Sequence, residues 1–276
     1  MKKEYKKFEA GFQEEVVDLL VLTSEGVGGA GLYAKGIWQP SAQILGCVEL
    51  STGRLRAGKG CLYWLCEDSD KNGWIHNLRH LTIYHVKCRE SVPDNERQGI
   101  PAGLWMLLEV VERDLHHPEL DRILAEYQRS VEITDPLCGH FVLERNYDWF
   151  SAEVDWLGEE CGVSLTCDEE GGETAEEALS GFRRIYGNLQ EWDRNFRAFA
   201  ASELTELAND WREDSEEDSQ PITEESFAER ICISEFTMET EGNYVAYYDD
   251  DDMFFGHVIF IEGNIETGME RANIAG

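Results

Sequence analysis

The chain has 276 residues, a formal charge of −32 at pH 7 and an isoelectric point near 4.4, a balance that excludes a phosphate-backbone binder with clustered Lys and Arg. Apolar residues make up 42% and aromatics 11%, enough for a real core, so disorder throughout is excluded and the length suits one large domain or two ordinary ones. No run of 18 apolar residues spans a bilayer, and the basic start MKKEYKKFEAGFQEE lacks the apolar stretch of a signal peptide, so the expected location is the cytoplasm.

From Gln13 to Val111 the pattern reads as β-structure. The runs Val16–Leu22, Ile44–Leu50, Cys61–Cys66, Leu81–Cys88 and Trp105–Val111 are each about strand length and are separated by Gly, Pro, Asn, Asp or Ser. Five strands in about a hundred residues suit a small antiparallel barrel or sandwich, with an OB-like barrel as the specific expectation. His117-Pro118 then opens a helix, since proline suits the first helical position and Leu120, Ile123, Leu124 and Tyr127 recur at helical spacing. This helix is expected to connect the halves, giving a barrel over 1–115, a connector over 116–130 and an acidic α+β domain over 131–276.

The second half begins with strand-like runs at Val131–Thr134, His140–Arg145, Phe150–Trp156 and Cys161–Cys167. In the third, Phe150, Ala152, Val154 and Trp156 alternate with Ser151, Glu153 and Asp155, one buried face and one wet face. Thr174 and Glu177 form a T-x-x-E capping box ahead of a long apolar stripe from Leu179 to Trp211, which Gly187 and Asn188 split into two helices. Arg212–Gln220 is an acidic loop, and Pro221, Thr223, Glu224 and Glu225 start a short helix. Three strand-like runs close the chain, Cys232–Glu239, Tyr244–Tyr248 and Phe254–Ile261. The sum is an antiparallel sheet with two or three helices, within a β-rich α+β protein.

Three blocks, FVLERNYDWFSAEVDWLGEECGVSL at Phe141–Leu165, NLQEWDRNFRAFAASELTELANDWRED at Asn188–Asp214 and YYDDDDMFFGHVIFIEGNIETGMERANIAG at Tyr247–Gly276, resemble in order a bacterial domain-of-unknown-function family, number 2262. The likeness covers roughly residues 130–276. In the first half, LTIYHVKCRE and LLEVVERDL are similar to the segment that often precedes that domain. The resemblance assigns no catalytic residue.

Several constellations carry possible chemistry. Gly26-Val27-Gly28-Gly29-Ala30-Gly31 fits G-x-G-x-x-G, but Gly36 and Pro40 interrupt what would be the helix, so a flexible hairpin loop is expected in place of a dinucleotide turn. Cys61, Cys66, His76 and His80 resemble a stretched zinc set, yet the two cysteines stand five apart on an expected strand and face opposite sides. With no C-x-x-C among eight cysteines, reduced thiols without a cofactor are expected. Asp249–Asp252 with His257 supplies carboxylates and an imidazole for metal-assisted hydrolysis centred on Asp249, Asp251 and His257, although the EF-hand pattern fails; a solvated turn is the competing reading. Glu153 and Asp155 could share a proton if buried, or keep an outer sheet face soluble.

Charge is divided unevenly. Residues 1–128 carry 15 basic and 19 acidic side chains, whereas 129–276 carry 9 and 37, a net of −28. Glu169, Glu170, Glu173, Glu176 and Glu177 gather at a helix start, and Glu213, Asp214, Glu216, Glu217 and Asp218 form a second block. Such a half repels nucleic acid and anionic membranes and attracts a basic protein. The expected function is therefore non-enzymatic protein binding, of the kind an immunity protein exerts on a basic toxin or nuclease. The alternatives are the hydrolase above and a nucleic-acid mimic with carboxylates in an extended stripe.

Overall fold

The computed structural model describes residues 2–70, 72, 74–93, 100–213 and 220–276. The chain divides into two units, Met1–Arg129 and Ser130–Gly276.

Unit 1 contains α1 (Lys2–Glu9), β1 (Val17–Thr23), β2 (Gly29–Ala34), β3 (Ile37–Glu49), β4 (Arg54–Tyr63), β5 (Cys66–Glu67), β6 (Ile83–Glu90), β7 (Gly103–Glu112) and α2 (Pro118–Tyr127). Five strands close a barrel in the order β1-β6-β7-β4-β3 and back to β1. All its pairings are antiparallel except β4 with β7. The OB-like expectation is met in strand number and closure. Leu19, Val21, Ile44, Leu62, Tyr84, Val86, Trp105 and Leu107 fill its interior.

A second apolar layer lies outside the barrel wall. Leu20, Leu22, Val48 and Ile83 are covered by Leu120, Ile123 and Leu124 of α2. This explains why β1 reads as the unbroken run VDLLVLT: both of its faces are buried, so no alternation is required. Gly46 of β3 is the seat of the helix, because a Cβ there would stand 3.2 Å from Ile123 Cδ1 and from the Arg56 carbonyl oxygen. Of the stretch expected as a connector over 116–130, all but Ser130 falls within the first unit, where the apolar stripe of α2 packs on the barrel. Proline at the first position and an extended His117 start α2 as the sequence indicates.

Unit 2 contains β8 (Glu132–Asp135), β9 (Gly139–Glu144), β10 (Trp149–Trp156), β11 (Glu159–Thr166), α3 (Glu176–Tyr186), α4 (Leu189–Glu213), α5 (Glu224–Arg230), β12 (Cys232–Met238), β13 (Asn243–Asp249), β14 (Val258–Asn264) and β15 (Gly268–Ala275). The eight strands lie in the order β15-β14-β13-β12-β11-β10-β9-β8. The sheet is mixed and not wholly antiparallel, since β11 and β12 run parallel. All three helices fall between those two strands, and a parallel neighbour requires such a crossover. The helices bury one sheet face: Phe150, Trp156, Val163, Leu165, Phe236, Tyr244, Ile259 and Ile261 pack with Leu179, Phe182, Ile185, Phe196, Leu204 and Phe227.

Two caps differ in origin. The expected box at Thr174 and Glu177 does not form. Ala175 is the N-cap of α3, and the Asp168 carboxylate accepts from the N–H groups of Glu176 and Glu177, both at 3.0 Å. Asp168 lies two residues past the end of β11, so a residue delivered by the sheet supplies the cap that a local side chain was expected to give. At α5 the local cap does form: Thr223 accepts from the Ser226 N–H and the Ser226 hydroxyl accepts from the Thr223 N–H.

The helix layer is pinned by one buried polar group. Asp193 of α4 is 6% exposed and accepts from Trp156 Nε1 at 3.0 Å, the Tyr248 hydroxyl at 3.0 Å and Arg197 Nε at 2.6 Å. Arg197 also donates to the Ile231 carbonyl oxygen and lies over the Tyr248 ring. Every member has a partner, which is what makes burial of a charge tolerable.

Candidate functional site

Among the described residues, helices cover one face of the eight-stranded sheet and not the other. The other face can be read from the strand register. One row runs Glu153, Gly162, Glu235, Tyr247, Phe260 and Asn273 across β10 to β15. The adjacent row runs Glu132, Val142, Ser151, Ser164, Thr237, Val245, Glu262 and Arg271. All of these side chains are exposed or half-buried, whereas their strand neighbours Val154, Cys161, Val163, Phe236, Ala246 and Ile261 are buried. Strands lie about 4.8 Å apart, so Glu153 and Glu235 flank Gly162 across a shallow trough. Asp155 and Glu160 face each other at the end of β10 and β11.

The face is anionic with aromatic patches. Glu132, Glu144, Glu153, Asp155, Glu160, Glu235 and Glu262 stand on it, and Arg271, bound to Glu262 at 2.7 Å and lying over Phe260, is the cation these rows hold. Half-buried Trp149, stacked on exposed Tyr147 with centroids 4.8 Å apart, and half-buried Tyr247 and Phe260 supply apolar area. Burial, followed by the charges of Glu235, Glu262 and Glu239, raises the Tyr247 phenol above its ordinary range. Because Gly162, Tyr247 and Phe260 interrupt the carboxylates, no unbroken phosphate-like stripe forms.

Five other arginines of unit 2 are spent on pairs elsewhere. Arg145 binds Glu173 at 2.6 Å, Arg183 binds Asp135 at 2.8 Å, and Arg184, Arg197 and Arg230 bind Glu266, Asp193 and Asp251. Asp135 also accepts from the N–H groups of Cys138 and Leu137. The Cys138 N–H, with Arg183 and the Leu137 N–H beside it, holds its carboxyl at about 2.

The residues singled out in the sequence fall in different places. Glu169 and Glu170 are exposed after β11, Glu173 is tied to Arg145, and Glu176 and Glu177 occupy the exposed first turn of α3. Glu213 ends α4, and its side chain, like residues Asp214, Glu216, Glu217 and Asp218, lies outside the described residues. The group Asp249, Asp251 and His257 does not converge. Asp251 binds Arg230 through Nε at 2.6 Å, and His257 Nδ1 lies 2.6 Å from the Phe254 carbonyl oxygen, its ring edge-on to Trp211. The central carboxylate is Asp250, 5% exposed, which accepts from the N–H groups of Asp252, Phe254 and Gly256. The hairpin is built around that acceptor.

Among the described residues no group of three or more His, Cys, Asp or Glu side chains is arranged to hold a metal ion. All eight cysteines are free thiols. Burial pushes Cys47 and Cys167 up to about 11 and Cys138 and Cys161 up to about 12, far from the thiolate that nucleophilic chemistry needs. Gly29 and Gly31 of the glycine run lie in β2, paired to β3, where a flexible loop was expected. Sequence reasoning noticed Glu153 and Asp155 but missed Glu235 and Glu262. Their common face follows only from the parallel pairing of β11 with β12.

Fold and site together define a two-unit, β-rich protein whose second sheet is clothed on one side and acidic on the other. Residues 135–274 match the family described as an uncharacterized protein conserved in bacteria (DUF2262), and the chain belongs to that family. Residues 4–127 match a further domain family of unknown function, DUF7021. No curated protein and no solved structure matches the chain.

Proposed function

We propose that the protein is a non-enzymatic binder of a basic protein, acting as an immunity-type protein acts on a cationic toxin or nuclease, with the uncovered face of the second sheet as its contact surface. The observation that carries this reading is the set of carboxylates on that face, Glu153, Asp155, Glu160 and Glu235 among them, beside half-buried Trp149, Tyr247 and Phe260. Aromatic anchors ringed by charge are the usual anatomy of a protein interface. The net −28 of residues 129–276 would steer a cationic partner toward the face, and occlusion of the partner's basic site would follow docking.

The test is association with the basic products of neighbouring genes, measured at two salt concentrations. The expected result is an on-rate that falls steeply with salt. Replacing Glu153, Asp155, Glu160 and Glu235 together by the amides should slow it roughly tenfold while leaving the fold intact. Salt-independent association, or association unaffected by the four substitutions, would overturn the reading.

A further inference from the structure

We propose that the outer edge of β2, in unit 1, is a docking site for an extended, uncharged or basic peptide segment of a partner protein, which adds to the barrel sheet as a further strand. β2 pairs with β3 alone. Its register is regular from Gly29 opposite Ser41 to Leu32 opposite Trp38, and a bulge follows before Ala34. The edge facing away from β3 therefore presents backbone donors and acceptors with no strand beside it among the described residues.

Exposed edges are normally blunted by charge, proline, shortness or a covering element. The second sheet follows that rule: β15 carries Glu270 and Arg271, and β8 is four residues long with Glu132 and Asp135. β2 reads Gly-Ala-Gly-Leu-Tyr-Ala, without a charge or a proline; Phe8 of α1 lies edge-on to Tyr33 with centroids 5.8 Å apart, so Gly29–Leu32 is its open part.

A groove of about 390 Å³ runs beside this edge, lined by Gly31, Leu32, Tyr33, Gln39, Ser41 and Tyr63. Its floor is Ser41 opposite Tyr63 in one cross-strand row and Gly31 opposite Gln39 in the next. The space above the glycines is open, since a Cβ on Gly29 or Gly31 would meet nothing within 4 Å. Leu32 is 63% exposed. In strand addition the main chain supplies affinity, and pockets for alternate side chains supply selectivity; the edge and the groove offer one of each.

Charge decides the occupant. Nucleic acid is disfavoured because none of the groove-lining residues is Lys or Arg, and phosphate contacts supply most of its affinity. A second copy brings another −32, and like net charge repels it. A neutral or cationic peptide meets neither obstacle. The proposal involves unit 1 only and does not depend on the acidic face of unit 2.

The test uses the full chain and the blocked heptapeptide Lys-Val-Thr-Val-Thr-Val-Lys at about 0.3 M salt, where exposed charge attraction is screened. Amide exchange at Gly29–Ala34 should slow at least tenfold on saturation. The same peptide N-methylated at alternate residues should lose that protection, and Leu32→Lys, which sets a hydrated charge on the edge in place of an apolar side chain, should weaken binding about tenfold. Four outcomes would each overturn the proposal: no protection at millimolar peptide, equal protection by the methylated peptide, protection that appears without peptide as protein concentration rises, or the same protection from an oligo-dT strand.

Discussion

In unit 1 the sheet closes on itself, and the outside of β1 is sealed by α2, so the run from Leu19 to Thr23 has no wet face. In unit 2 eight strands stay open, three helices cover one side, and the other side keeps carboxylates at the surface. The difference shows where each unit can meet a partner. A closed barrel offers the edges of strands added to it, β2 among them; an open sheet has a whole face. Charge follows the same division, −4 in residues 1–128 and −28 in the remainder, and a bare sheet face must in any case be polar to stay in water.

Substitutions can break this contrast. The largest effect is expected for Asp193→Ala, which strands Arg197 and unpairs Trp156 and Tyr248; removing one partner of a buried charge network costs about 3–5 kcal/mol. Hydrogen exchange should report the loss in unit 2 while unit 1 amides keep their protection. Leu120→Ala is the counterpart in unit 1: it empties a fully buried site between α2 and the barrel, at a cost of about 2–4 kcal/mol, read by denaturant unfolding.

A glycine pair sharpens the contrast between the two faces of the open sheet. A Cβ on Gly263, on the covered side, would stand 2.4 Å from the Gly268 carbonyl oxygen and 2.5 Å from the Tyr244 hydroxyl, whereas one on Gly162, on the bare side, meets its first atom at 3.7 Å. Gly263→Ala should cost about 1–3 kcal/mol and Gly162→Ala little, as a comparison of their melting temperatures would show.

The acid limb of stability should isolate Asp135. Its folded carboxyl titrates at about 2, below the unfolded value of roughly 3.9. Protons therefore bind the unfolded chain first, and the contribution is full above about pH 4 and is lost as pH falls through 2. Asp135→Asn should flatten that part of the stability profile and leave its slope above pH 5 unchanged. Glu153→Gln and Glu235→Gln on the bare face should move stability by less than about 0.5 kcal/mol; a larger loss would mean that the face is structural and would weaken its reading as a contact surface.

Much of this architecture is legible in the residues, and the failures have physical causes. Phe150–Trp156 declares its strand because one face is wet. Gly187 and Asn188 fall where α3 gives way to α4. β2 and β15 escape notice because glycine, alanine and charge replace the β-branched residues that mark a strand. The Thr174 box misleads because Asp168, placed by the sheet, takes its role. The acidic excess is visible as composition, but the placing of Glu153 and Glu235 on one face requires the pairing of Gly162 with Glu235, which no local pattern encodes.

That same pairing divides the second sheet into two four-stranded meanders, β8–β11 and β12–β15, each built from consecutive antiparallel neighbours. They meet along a single seam, Gly162–Leu165 beside Glu235–Met238, after roughly seventy intervening residues of chain, a closure that is entropically slow compared with hairpin formation. Assembly of the sheet thus has a natural last step, the zipping of this seam, and before it closes Glu153 and Glu235 belong to separate pieces.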